Sequence, residues 1–251
     1  MDKSIPLTFL IALAAALPAA CQESWSAARI DSLLARVDRY RGLADDHRCD
    51  IEISTIDRST ATGTNLYRAR VHPAPSRRDV LLRVLSPESE KGNLILSQGR
   101  EMWILTRRTS RPVPVSAQQR LLGDASIGDV LNVELHGNYS GMARPDGNAS
   151  FLVLEATTTN ALYERIELRV DPATARPLEA RLLARTGRLL KTVRYRGFLR
   201  SSGHVLASDL EILDAVNPDR TTRVRFSRFA PERFPSGTFE KEALGSLRSA
   251  E

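Results

Sequence analysis

The chain has 251 residues, 42% hydrophobic and 26% charged, with a net charge of +6. This is globular composition, long enough to bury a good core, and it suits one domain rather than several. With aromatic residues at 6% the interior is mostly aliphatic, and two cysteines plus four scattered histidines (His47, His72, His136, His204) lack the spacing of a metal site.

Residues 1–21 read as a secretory signal: Lys3, then an apolar Ala/Leu-rich run from Ile5 to Ala20 that is short for a membrane span. Its end has two readings. Leu17-Pro18-Ala19-Ala20-Cys21 is lipobox-like, although Pro18 stands where such motifs carry Leu, and it would leave a lipid anchor on Cys21. A signal peptidase cut at a small-x-small triplet such as Ser24-Trp25-Ser26 would leave no anchor. Residues 22–251 then form the mature domain. Cys49 is either a bridge partner for an unlipidated Cys21 or a small buried hydrophobe. The positive charge suits anionic lipid or nucleic acid. However, the lysines are only Lys3, Lys91, Lys191 and Lys241, and the Arg skew is what a GC-rich genome produces unselected. A solvated basic surface is the simpler reading, and no nucleic-acid partner is expected for a secreted chain.

Trp25–Leu43 is the first predicted element, a helix with Ile30, Leu33, Leu34, Val37 and Tyr40 on one face and Arg29, Asp31, Arg36 and Asp38 opposite. From Cys49 the period switches to two. Cys49, Ile51 and Ile53 alternate with Asp50, Glu52 and Ser54; Tyr67, Ala69 and Val71 alternate with Arg68 and Arg70. Val80, Leu82 and Val84 follow, then Leu94 and Leu96, then Trp103 and Leu105, before Pro112 and Pro114 interrupt the pattern. Strands resume through Leu152 and Leu154, then Ile166, Leu168 and Val170, and Leu178, Ala180 and Leu182, with turns at Asp171–Thr174 and Thr186-Gly187. Val193 and Tyr195, Leu210 and Ile212, and Val224 and Phe226 complete the series. Clean alternation with Arg on the polar side predicts one large antiparallel sheet with a wet face, about ten strands long and therefore curled.

The interruption carries Gln118–Leu131. Ser126 and Asp129 have capping-box spacing, and Ile127, Val130 and Leu131 give a short apolar face behind the Leu121-Leu122 pair. A short capped helix laid across the sheet as a lid is predicted. A catalytic reading fails: no Gly-x-Ser-x-Gly elbow surrounds Ser126, nothing suggests a triad, and Asp124 with Asp129 has no partner element. Neither an enzyme nor a cofactor is expected.

The motif Gly99, Met102-Trp103-Ile104-Leu105, Arg111-Pro112 and Arg120-Leu121-Leu122-Gly123-Asp124-Ala125-Ser126 with Asp129 resembles the outer membrane lipoprotein-sorting family, relatives of the periplasmic carrier LolA. Val170–Phe198, Leu210–Val216 and Phe229–Leu244 also resemble it, so the likeness spans roughly residues 70–245. It implies a mainly β fold with some α: a strongly curved antiparallel sheet, an incomplete barrel, with N-terminal and lid helices as in LolA and LolB. It also implies a periplasmic role carrying an acylated lipoprotein or lipid toward the outer membrane, and for some members a place beside an inner-membrane exporter.

On that basis the expected acyl-binding wall is Val80, Leu82, Val84, Leu94, Leu96, Trp103, Leu105, Leu168, Leu182, Val193, Tyr195, Leu210, Ile212, Val224 and Phe226, with Leu121, Leu122, Ile127 and Val130 as the lid. The alternatives are an accessory module of an inner-membrane exporter and a structural envelope lipoprotein whose core is filled.

Overall fold

A computed structural model describes residues 25–42, 45–74, 77–131 and 134–249; the stretch expected to be a signal, and Cys21, lie outside the described residues. Helix α1 (Ala27–Asp38) starts where Ser26 caps it, its Oγ accepting from the Arg29 N–H at 3.3 Å, and buries Ile30, Leu33, Leu34 and Val37. It ends five residues short of the predicted Leu43, because the chain tightens into a 3-10 turn at Arg39–Arg41 before Gly42.

Fourteen of the remaining elements run as follows: β1 (His47–Asp57), β2 (Thr60–Ala74), β3 (Arg77–Ser86), β4 (Leu94–Gln98), β5 (Glu101–Leu105), β6 (Val113–Pro114), β7 (Arg120–Leu122), β8 (Ala125–Ser126), α2 (Ile127–Leu131), β9 (Tyr139–Asp146), β10 (Ala149–Ala156), β11 (Arg165–Val170), β12 (Pro177–Leu183) and β13 (Leu189–Ser201). β14 (His204–Asp214), β15 (Arg220–Pro231) and α3 (Leu244–Ser249) complete the chain order. Thirteen strands form one sheet in the order β6-β5-β4-β3-β2-β1-β15-β14-β13-β12-β11-β10-β9. It is two antiparallel meanders joined where β1 pairs with β15, Ile51 opposite Phe226 and Ile53 opposite Val224. The sheet curves without closing: β6 and β9 are its two edges. The small β7–β8 hairpin and α2 leave one meander, cross the inner face, and lead to the far edge.

Alternation decides which side chains meet. On the inner face Ile51, Ile53, Tyr67, Ala69, Val80, Leu82, Leu152, Leu168, Leu210, Ile212 and Val224 join α1 and α2 in one core. On the outer face, register places carboxylates beside arginines from strand to strand: Asp50 with Arg68 at 2.9 Å, Glu52 with Arg225 at 3.2 Å, Asp209 with Arg223 at 2.9 Å, Glu211 with Arg196 at 2.6 Å and Glu167 with Arg181 at 2.6 Å. Such cross-strand pairs, each worth a few tenths to about 1 kcal/mol, are what the Arg-rich polar face becomes. Cys49 sits within the inner core, and burial pushes its thiol up to about 12, so it is an inert hydrophobe there.

Candidate functional site

The crossing segment is held on the sheet by a buried polar cluster. Ser126 and Asp129 cap α2 reciprocally, as their spacing predicts: the Asp129 N–H donates to Ser126 Oγ (3.2 Å) and the Ser126 N–H to Asp129 Oδ2 (2.9 Å). Lys191 on β13 reaches the same carboxylate, Nζ to Oδ2 2.5 Å, and also donates to the Asp124 carbonyl at 2.8 Å. The Tyr163 hydroxyl donates to Asp129 Oδ1; burial, and then the Asp129 charge, push its ionisation far up, so it remains a donor. Arg41, from the turn after α1, donates to the Asp129 carbonyl at 3.4 Å.

Gly123 explains the sharp docking. Its φ is +56°, and a Cβ there would stand 2.5 Å from Thr55 Oγ1 on β1 and 2.6 Å from Thr222 Oγ1 on β15. Only glycine lets this backbone turn and press on the seam between the two meanders. The next residue is anchored by its N–H, which donates to Thr222 Oγ1 at 2.9 Å. The Asp124 carboxyl is fully buried between Arg220 (3.6 Å) and Arg120 (3.7 Å), beyond hydrogen-bond reach of either. Burial first, then the nearby Asp214, raise its pKa against the pull of Arg220, Arg120 and Lys191.

Crossing at the seam, the segment divides the inner face into two unequal parts. On the β11–β13 side a void of about 20 Å³ lies among Leu168, Leu182, Val193, Tyr195, Leu135 and Arg41. That is room for about one water, far too little for an acyl chain. On the β2–β5 side an open groove of about 840 Å³ is floored by Tyr67, Val84, Ile95 and Ile104 and walled by Val115, Leu121 and Ile127. Its rim carries Arg107, Arg108, Arg120, Gln119 and Glu90. This is the size and mixed lining of a small-molecule site. Tyr67 ties floor to wall, donating to the Leu121 carbonyl at 3.4 Å while accepting from Asn65 Nδ2 at 3.0 Å.

The expected wall residues therefore do not form one surface. Val84, with Leu121 and Ile127 from the lid set, lines the groove. Val80, Leu82, Leu210, Ile212 and Val224 are core beneath the helices, with Val130 of the lid, and Leu122 and Phe226 pack against that core, Phe226 stacking on Phe229. Leu94, Leu96, Trp103 and Leu105 are a correction: they face outward, in a second cluster with Leu81, Phe239, Leu244 and Leu247. The physical cause is that β4 and β5 are covered on both sides, inside by the crossing segment and outside by the C-terminal stretch. Leu94-Ile95-Leu96 and Met102-Trp103-Ile104-Leu105 are continuous apolar runs without parity, and the inner residues are Ile95, Met102 and Ile104. Ile95, Ile104, Val115 and the rim arginines are the groove residues that periodicity missed, while Tyr67 falls on the predicted apolar face but is not counted in the expected wall. Pairing of Ile95 with Ile104 is the feature that sets their common face.

The model of a family described only as uncharacterized protein-like matches residues 76–246, more than half of the chain. A LolA superfamily protein from Nitrosomonas europaea superposes with a TM-score of 0.72 at 25% identity, covering 84% of this chain and 97% of that one. The chain belongs to that uncharacterized family and has the fold of the LolA superfamily. The LolA-like fold is shared by a DUF1329 family protein from Desulfovibrio piger (TM-score 0.71, 16% identity, 85% of this chain and 97% of that). It is shared too by an outer membrane lipoprotein-sorting protein domain from Vibrio parahaemolyticus (0.69, 17%, 84% and 97%). No curated protein is significantly similar in sequence. Among the described residues no helix of this LolA-like chain is long and apolar enough to cross a membrane.

Proposed function

We propose that this LolA-like protein is a periplasmic carrier without chemistry of its own, which shields an acyl chain of a lipoprotein or lipid in the groove between β2–β5 and the crossing segment. The observation that carries this reading is the groove itself, about 840 Å³ with an apolar floor, on a fold whose other inner half is filled. Burying an acyl chain is worth about 0.8 kcal/mol per methylene. A groove left open at its rim takes only part of that gain, which suits a carrier that must also release its cargo.

The test is native mass spectrometry with lipid extraction on protein taken from its own cell envelope. An acylated species that co-purifies with the wild type and is lost in Val115→Trp, which fills the groove from a half-buried wall position, is the expected result. Protein that is empty, and stays empty when challenged with lipid, overturns the proposal. The same spectra report by mass whether Cys21 is retained and carries a lipid anchor.

A further inference from the structure

The groove is not electrically neutral at its open end. Arg107 and Arg108 stand on the turn between β5 and β6, both exposed, and among the described residues neither forms an ion pair with a carboxylate. The groove's own acidic lining residue is Glu90. Arg107 and Val84 are shared with a second hollow of about 660 Å³ at the same rim, whose lining adds Arg83, Lys91 and Arg248 against Glu88. Glu88 is engaged by Lys91 at 3.1 Å. Arg248 is held in place by donating to the carbonyls of Thr106 (2.7 Å) and Thr109 (3.1 Å), on either side of the two rim arginines, which fixes its guanidinium; among the described residues it forms no ion pair with a carboxylate. An apolar channel thus opens directly into a basic hollow.

We propose that the two spaces together take a free lipid with an anionic, phosphate-bearing head group, its acyl chain along the groove and its head against Arg107, Arg108 and Arg248. The proposal rests on the reading of the groove as an acyl-chain site and goes further by naming the class of cargo. Guanidinium groups pair with phosphate oxygens through two parallel hydrogen bonds, and a pair of them at one rim discriminates charge as well as shape. A diacylglyceryl thioether, the anchor of a lipoprotein, has no phosphate to offer these arginines.

Three probes with the same fluorescent acyl chain separate the possibilities: phosphatidylglycerol, phosphatidylcholine and a diacylated cysteine lipopeptide, each titrated into the full chain at low and high salt. Phosphatidylglycerol is expected to bind roughly tenfold tighter than the other two. That preference is expected to shrink in high salt and to vanish in Arg107→Ala/Arg108→Ala. A far-UV circular dichroism spectrum and a urea midpoint like those of the wild type show that the exposed double variant is folded. Equal affinity for all three, or a preference that survives the double variant, overturns the head-group assignment and leaves the carrier reading standing. Uptake of none of the three overturns both.

Discussion

Lys191 Nζ lies 2.5 Å from Asp129 Oδ2, an ion pair that joins the middle of the sheet to the start of the crossing helix, with the carboxylate fully buried and the ammonium nearly so. Removing one member of such a pair is costlier than removing both, because a lone buried charge remains. Lys191→Met is therefore expected to lower unfolding free energy by about 3 kcal/mol. The Lys191→Met/Asp129→Asn double variant should recover part of the loss in urea titrations. If the two single losses simply add, the pair does not latch the segment.

Gly123 makes a second prediction. The left-handed backbone and the approach to Thr55 and Thr222 both resist a side chain. Gly123→Ala should cost about 2 kcal/mol. Adding Thr55→Ala and Thr222→Ala relieves the contact and leaves the backbone strain, so only part of the stability should return. Full recovery would show that the contact alone matters, and no loss at all that the segment docks differently.

Asp124 ties stability to pH. Its folded pKa is raised, by burial first and Asp214 second. A carboxyl more easily protonated in the fold than in the unfolded chain opposes folding when ionised, and that penalty fades as pH falls through the folded pKa toward the ordinary 3.8. Asp124→Asn should be more stable than wild type at pH 7, with the difference shrinking as the pH is lowered toward 4. Urea midpoints across that range measure it, and a difference that grows on acidification would contradict the sign.

Leu244 on α3 is fully buried in the outer cluster with Leu81, Leu94, Leu96 and Leu105. Leu244→Ala should cost about 3 kcal/mol and, because α3 also carries Arg248, should weaken the preference for an anionic head group while leaving uptake of the acyl chain by folded protein unchanged, since the groove lies on the opposite face. A loss of binding by folded protein would show that the outer cluster shapes the groove.

What the sequence discloses depends on whether a residue answers to one partner surface or two. The inner parity of β1, β2 and β15 is plain, because Asp50, Glu52, Arg68, Arg223 and Arg225 mark the wet side. So is the α2 cap, since the Ser126–Asp129 pair is local. In β4 and β5, where no polar residue breaks Leu94-Ile95-Leu96, parity is set by the C-terminal stretch folding back over the outer face, more than a hundred residues away in sequence. Strand β9 escapes periodicity for a different reason: as an edge strand it is largely exposed, with Met142 outward and Pro145 within it. The basic rim reads in the sequence only as part of a solvated basic surface, because nothing there marks Arg107-Arg108 and only the fold brings Arg248 beside them.

The pairing of β1 with β15 also sets an order of assembly. Ile51 must find Phe226, 175 residues further on, before the seam under Gly123 exists. Contacts so distant in sequence form late. Each meander can zip through its own hairpins, but the crossing segment has nowhere to dock until the last long strand arrives. A chain emerging N-terminus first would thus hold its apolar groove unwalled until synthesis is nearly finished. Exposure of that nascent half, rather than fragility of the finished protein, is the stage most open to aggregation.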